Sequence, residues 1–166
     1  MRLLVIFFLF VTVLCSVELE LDRTYSGPKK LTVSHLGVSM GLPYHWEGVA
    51  KKGEGLALFQ QGTNDTMVLR SKSLTVSEAV TYLNEPHYLK DSIKVFPQER
   101  IVKLNSRIYR RSYTSNGGQD RASVLIYVIL GPQERAVVMK VQYDKANDSA
   151  IKATTMNIVQ ALSFTP

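Results

Sequence analysis

Three histidines, His35, His45 and His87, are the residues most able to hold a metal or move a proton in this 166-residue chain. Zinc sites need ligands whose spacing brings them to one point, such as two histidines a helical turn apart or Cys-x-x-Cys pairs. None of the three histidines has such a partner, and Cys15 is the only cysteine. Their expected roles are structural or at the surface. A nucleophilic serine needs a strained Gly-x-Ser-x-Gly elbow or a Ser-x-x-Lys setting, and neither occurs. The glycine runs "KKGEG" and "SNGGQD" lack the Lys-Ser/Thr and following helix of a phosphate cradle. With 14 Asp and Glu in all, several of them at turns and caps, a carboxylate pair for glycoside chemistry has no distinctive signature. The sequence therefore predicts a protein that is not an enzyme and carries no cofactor or metal. An exported hydrolase with an unrecognised site remains the alternative.

The segment richest in binding chemistry is "RIYRRSYT". On a strand, Arg107, Tyr109, Arg111 and Tyr113 alternate onto one face and Arg110 lies on the other, with Arg121 across the following hairpin. Arginine and tyrosine combine rigid area with directed hydrogen bonds and are favoured at binding hot spots. The five residues Arg107, Tyr109, Arg111, Tyr113 and Arg121 are thus the candidate interaction surface, and charge reversal at Arg107 and Arg111 is expected to abolish partner pull-down while leaving the fold intact. The competing reading is a solvated edge strand whose charges block aggregation.

The first residues carry a different message. Arg2 precedes an apolar run over residues 3–15 that is too short to cross a bilayer, which needs about 20 residues, and "SVELELDR" follows at once. This is the pattern of a secretory signal peptide, with cleavage near Ser16. Cys15 after the apolar run offers a second reading, lipidation, which would anchor the chain by its acyl groups; Leu14 departs from the small residue usual before a lipidated cysteine. The mature body has no disulfide, which suits a bacterial periplasm or envelope better than a small eukaryotic secreted domain. Without Arg2 the basic residues number 19 against 14 acidic, a net charge of +5. Such a balance favours a protein partner or an anionic surface. Nucleic acid is not expected, and membrane contact is expected only through a lipidated Cys15. Asn64-Asp65-Thr66 and Asn147-Asp148-Ser149 are glycosylation sequons for a eukaryotic source only.

The elements that must position these residues are short. Residues 16–30 read as a polar lead-in and 31–166 as a single domain. "LTVSHLGVSMGLP" is expected to be a strand with a phase change near Gly37, stopped by Pro43, with Tyr44 and Trp46 capping the sheet's end. "EGVAKKGEG" reads as a loop, and residues 56–60 and 66–72 as a hairpin. Thr75 with Glu78 three residues on forms a capping box for a helix that Pro86 ends. Residues 87–96 read as a loop with a helical turn. A meander follows, in which residues 124–130 are apolar on both faces and belong to a central strand. Asp148 is read as the N-cap of a terminal helix. The order β-β-β-α-β-β-β-α implies an α+β domain with an antiparallel β-sheet covered by helices, and the pattern alone places both helices on one face.

Several stretches together resemble PsbP-like and DcrB-like domains. "GVSMGLPYHWEG" is similar to their opening strand, "SLTVSEAVTYL" sits where they place the first helix, and the run from "RIYRRSYT" to "ALSF" is similar to their closing meander and helix. The resemblance implies a PsbP-like sandwich with helices on both sides of the sheet, normally without enzymatic activity. It fits best the bacterial-envelope branch, and it maps no functional residue. Function expected on this basis is that of an exported accessory or binding protein of the bacterial envelope, acting through a protein or anionic-surface interface. A chaperone-like module that shelters apolar segments between sheet and helix is a further alternative.

Overall fold

The computed structural model describes residues 17–51, 53, 55–89, 93–115 and 123–166. Cys15, the leader with its cleavage position, and Arg121 lie outside them. Two antiparallel-dominated sheets form. The larger runs β2 (Thr24–Ser26), β5 (Trp46–Lys51), β6 (Gly55–Gln60), β7 (Thr66–Ser73), β13 (Arg135–Tyr143), β12 (Ser123–Leu130), β11 (Ile108–Ser115), β9 (Lys94–Pro97) and β8 (His87–Tyr88). A short β10 (Val102–Lys103) also pairs with β11. The smaller sheet orders β1 (Val17–Glu18), β3 (Lys29–Val33), β4 (Val38–Leu42) and β14 (Ser163–Phe164).

Strand β12 shows why the layers form as they do. Val124, Ile126, Val128 and Leu130 point to one face, while Leu125, Tyr127 and Ile129 point to the other, and all are buried. An unbroken apolar run demands cover on both sides. Helix α1 (Val76–Asn84) supplies one cover, burying Ala79 and Leu83 against Tyr109, Tyr113, Val124 and Ile126. Helix α2 (Asp148–Ala161) and the small sheet supply the other, burying Ile151, Ile158 and Val159 with Leu31, Met40, Tyr127 and Met139. The helices therefore lie on opposite faces, which corrects the one-face arrangement and agrees with the sandwich.

Three further expectations change. The phase slip at Gly37 is a chain reversal between β3 and β4, through a 3-10 turn over Ser34–Leu36. Gly37 adopts φ 63°, and a Cβ there would stand 2.0 Å from Arg135 Nη2. "EGVAKKGEG" is not all loop, because Trp46–Lys51 pairs with both β2 and β6. Residues 87–88 and 94–97 are paired strands rather than a helical turn. Trp46 is a core residue 2 % exposed, whereas Tyr44 is largely exposed in the turn before it.

The capping box of α1 is present in full: Glu78 N–H donates to Thr75 Oγ1 at 3.3 Å, and Thr75 N–H to Glu78 Oε2 at 2.7 Å. These bonds hold the Glu78 carboxyl below the usual range. At α2 the N-cap position is Asn147, whose side chain makes no cap bond, and Asp148 is the first helical residue. Asn147 Nδ2 instead donates to buried Asp65 at 2.8 Å, and Asp65 also accepts from Asp144 N–H at 2.9 Å. One carboxylate thus ties the start of β7 to the entry of α2. It also occupies the amide of the second sequon, while Asn64 of the first is exposed.

Candidate functional site

The predicted alternation on β11 is real, but the face it defines points inward. Tyr109 and Tyr113 are 6 % and 2 % exposed, packed under α1. Tyr113 donates its hydroxyl to Leu83 O at 2.6 Å, and burial pushes its phenol well above the usual value. Arg111 is spent on the same helix end: Nη1 donates to Leu83 O at 3.1 Å and to Asn84 Oδ1, and Nε donates to Glu99 O at 2.6 Å. Carbonyls of the last helical turn lack intrahelical donors, and Arg111 and Tyr113 satisfy them. Arg107 precedes the strand and is exposed beside a shallow recess of about 550 Å³ with Gly131, Pro132 and Phe164. The structure does not assemble the five residues into one exposed patch: two are buried, Arg111 holds a helix, and Arg121 lies outside the described residues.

The histidines separate completely. His35 sits exposed in the 3-10 turn and His45 in an exposed turn at φ 59°. His87 is buried, bonded to Tyr82 O at 3.0 Å, and its ring lies tilted against Tyr82 at 4.4 Å and edge-to-face with Tyr113 at 5.2 Å. Burial, with the charges of Lys140 and Lys72, pulls its pKa down to about 4. Among the described residues no three His, Cys, Asp or Glu side chains converge as a metal site.

The open chemistry lies elsewhere on the same face of the large sheet. Helix α1 roofs the β11–β12 half and leaves the β6–β7–β13 half uncovered. There a groove of about 610 Å³ opens between the sheet and the α1–β8 corner. Its floor can be read off the register. Phe59, Thr66 and Gln142 form one cross-strand row, Ala57, Val68 and Lys140 the next, then Arg70 opposite Val138, and finally Lys72 opposite Ala136. Rows on one face repeat every two residues, about 7 Å. Three successive rows therefore each set one cation beside aliphatic side chains. Tyr82, Tyr88 and Leu89 form the wall. Lys72 Nζ stands 4.9 Å from the centre of the Tyr82 ring.

Gly55 shapes the floor's edge. Its φ is +95°, and a Cβ would lie 2.0 Å from Leu69 O and 3.1 Å from Arg70 Cγ, so only glycine lets the Arg70 stem lie there. Lys140 is half-buried at the centre of the floor. Its pKa is lowered by burial first and by Arg70 and Lys72 next. Among the described residues no carboxylate forms an ion pair with Lys72 or Lys140. Arg70, Lys72 and Lys140 carried no sequence signal, because they are scattered over two strands and only the register joins them.

This architecture, a twisted antiparallel sheet between one helix and a helix-plus-small-sheet layer, is the PsbP-like fold. The chain is similar to a cyanobacterial PsbP, CyanoP of Synechocystis sp. PCC 6803, with a TM-score of 0.52 and 11% identity over 86% of this chain and 91% of that one. It is similar also to LpqN, described as involved in cell envelope biogenesis of Mycobacterium tuberculosis. There the TM-score is 0.54 and the identity 9%, over 78% of this chain and 83% of that one. At such identities the likeness establishes the fold. No family model and no curated protein matches the sequence.

Proposed function

We propose that this chain is an exported, non-catalytic accessory protein of the cell envelope that works by binding, and that its working surface is the uncovered half of the large sheet. The observation that carries this reading is the groove itself. It is concave, of a size suited to a ligand or a partner's side chains, and lined by cations, amides and rings. The signal-peptide pattern of residues 1–15 supports export. LpqN, which shares the fold, is a protein of envelope biogenesis, and that supports the compartment. An anionic-surface or protein interface was expected at the Arg/Tyr strand. Burial of Tyr109 and Tyr113 favours moving it to Arg70, Lys72 and Lys140.

Fractionation of cells expressing the full chain with a C-terminal tag tests this. The protein should appear in the periplasmic or envelope fraction with an N-terminus near Cys15 or Ser16. Charge reversal at Arg70 and Lys72 should release it from its envelope partner, while reversal at Arg107 should not. Retention in the cytoplasm with Met1 intact would overturn the reading.

A further inference from the structure

We propose that the groove is a site for one anionic amphiphile, a single alkyl or aryl body ending in a phosphate or carboxylate, whose head is held by Lys72 and Lys140, beside Arg70. This rests on the reading that the uncovered half-sheet is the working surface, and it names the ligand chemistry of that surface.

Charge complementarity sets the head. The three cations fall on successive rows of one face, with Lys140 diagonal to Arg70 across the Val68 and Val138 positions. Like charges this close repel, and the lowered pKa of Lys140 records that repulsion together with its burial. An anion between them removes the repulsion and receives charge-assisted hydrogen bonds, which are about twice as strong as neutral ones. Two carboxylates border the lining: Glu47, opposite Phe59 across β5 and β6, accepts from Gln61 Nε2 at 2.9 Å, and Glu85, at the α1 C-cap, acts on the Tyr82 phenol. Glu85 is exposed, and neither carboxylate is part of the lining.

The body follows from the remaining lining. Ala57, Val68 and Val138 give an aliphatic strip, and Phe59, Tyr82 and Tyr88 supply ring faces around it. Phe59 and Tyr88 are 41 % and 61 % exposed, so these two large rings stand in water when the groove is empty. A bare inorganic anion would leave them there. A wholly apolar segment would instead bury Lys140 without a counter-charge, which desolvation opposes. Only a ligand with both parts satisfies both halves of the lining. A volume of about 610 Å³ is within the range of single small-ligand sites, about 300–1,000 Å³.

Isothermal titration calorimetry on the purified protein, with dodecyl phosphate kept below its micelle concentration, tests the proposal. Dodecyl maltoside, dodecyltrimethylammonium and inorganic phosphate are the comparison probes, and phosphatidylglycerol vesicles the membrane arm. Saturable 1:1 binding of dodecyl phosphate is expected, at least about tenfold tighter than any comparison probe. Lys140→Gln and Lys72→Gln should each weaken it about tenfold without lowering Tm; Lys72 is exposed, so its variant reports even if Lys140→Gln misfolds. Equal affinity for dodecyl maltoside removes the anionic head. Equal affinity for inorganic phosphate removes the body. Binding to vesicles without binding of the monomer would replace the single-ligand site with a membrane surface. Each of these three results overturns the proposal. If dodecyl phosphate fails to bind while the chain still fractionates with the envelope, only the ligand assignment falls.

Discussion

Arg111 and His87 show what burial does to side chains that look reactive in a sequence. Arg111 has three hydrogen bonds to groups on α1 and at Glu99, so its guanidinium is part of the scaffold. Arg111→Met should therefore cost about 1–3 kcal/mol, read as a lower urea midpoint, whereas Arg107→Met should leave the midpoint unchanged. A null effect of Arg111→Met would contradict the geometry. The alternation of residues 107–113 is legible in the sequence, but the direction it faces is not. That depends on which side of β11 the helix α1 lands, a long-range fact.

His87 gives a pH signature. Its ring is held neutral, with a pKa near 4 in place of 6.5, by burial and by Lys140 and Lys72. The unfolded chain therefore binds a proton that the folded chain refuses. His87 costs no stability above about pH 6.5, and stability falls as pH drops from there toward 4. Thermal melting between pH 7 and 5, above the range where the Asp148 and Glu78 carboxyls titrate, should show this decline. His87→Phe keeps an aromatic ring between Tyr82 and Tyr113 and should flatten the slope; an unchanged slope would rule His87 out as its source.

At the level of elements, local signals were legible where they are self-contained. The capping box is written in Thr75 and Glu78 alone, and Thr75→Ala should destabilise the protein by about 1 kcal/mol, measurable as a fall in the denaturation midpoint. The double-faced run of β12 is equally local, since seven apolar residues in a row fix a central strand. The β3–β4 reversal was visible only as a phase change, because one glycine with positive φ replaces the usual turn pair. Gly37→Ala should be more damaging than its size suggests: it combines a strained φ with a clash against the Arg135 guanidinium, which donates to Gly37 O and Thr165 O at 2.8 Å and pins the C-terminus. Expected is a Tm fall of several degrees, with Gly53→Ala as the comparison, since Gly53 also has positive φ but open space around it. Strand β5 was hidden because its Gly48 and Lys51 imitate loop composition; pairing on both sides overrides that weak preference.

The whole molecule is asymmetric in how its large sheet is covered. One face is covered by α2 and the small sheet, which bury Leu58, Leu69, Met139, Tyr127 and Ile108 from β6 across to β11, while on the other α1 packs over β11 and β12. The central strand predicted the two covers, and the short helix α1, nine residues long, explains why the second cover stops halfway. What no pattern along the chain could show is that the uncovered half gathers Arg70, Lys72 and Lys140, from strands some 70 residues apart in sequence. The most direct test is site-specific photocrosslinking in intact cells, with benzoylphenylalanine placed at Tyr88 on the groove's lip and, separately, at Arg107 beside the other recess. The Tyr88 position should capture a ligand or partner, and Lys140→Gln should abolish the capture, while the Arg107 position stays silent. Capture from Arg107 alone, unaffected by Lys140→Gln, would contradict the account.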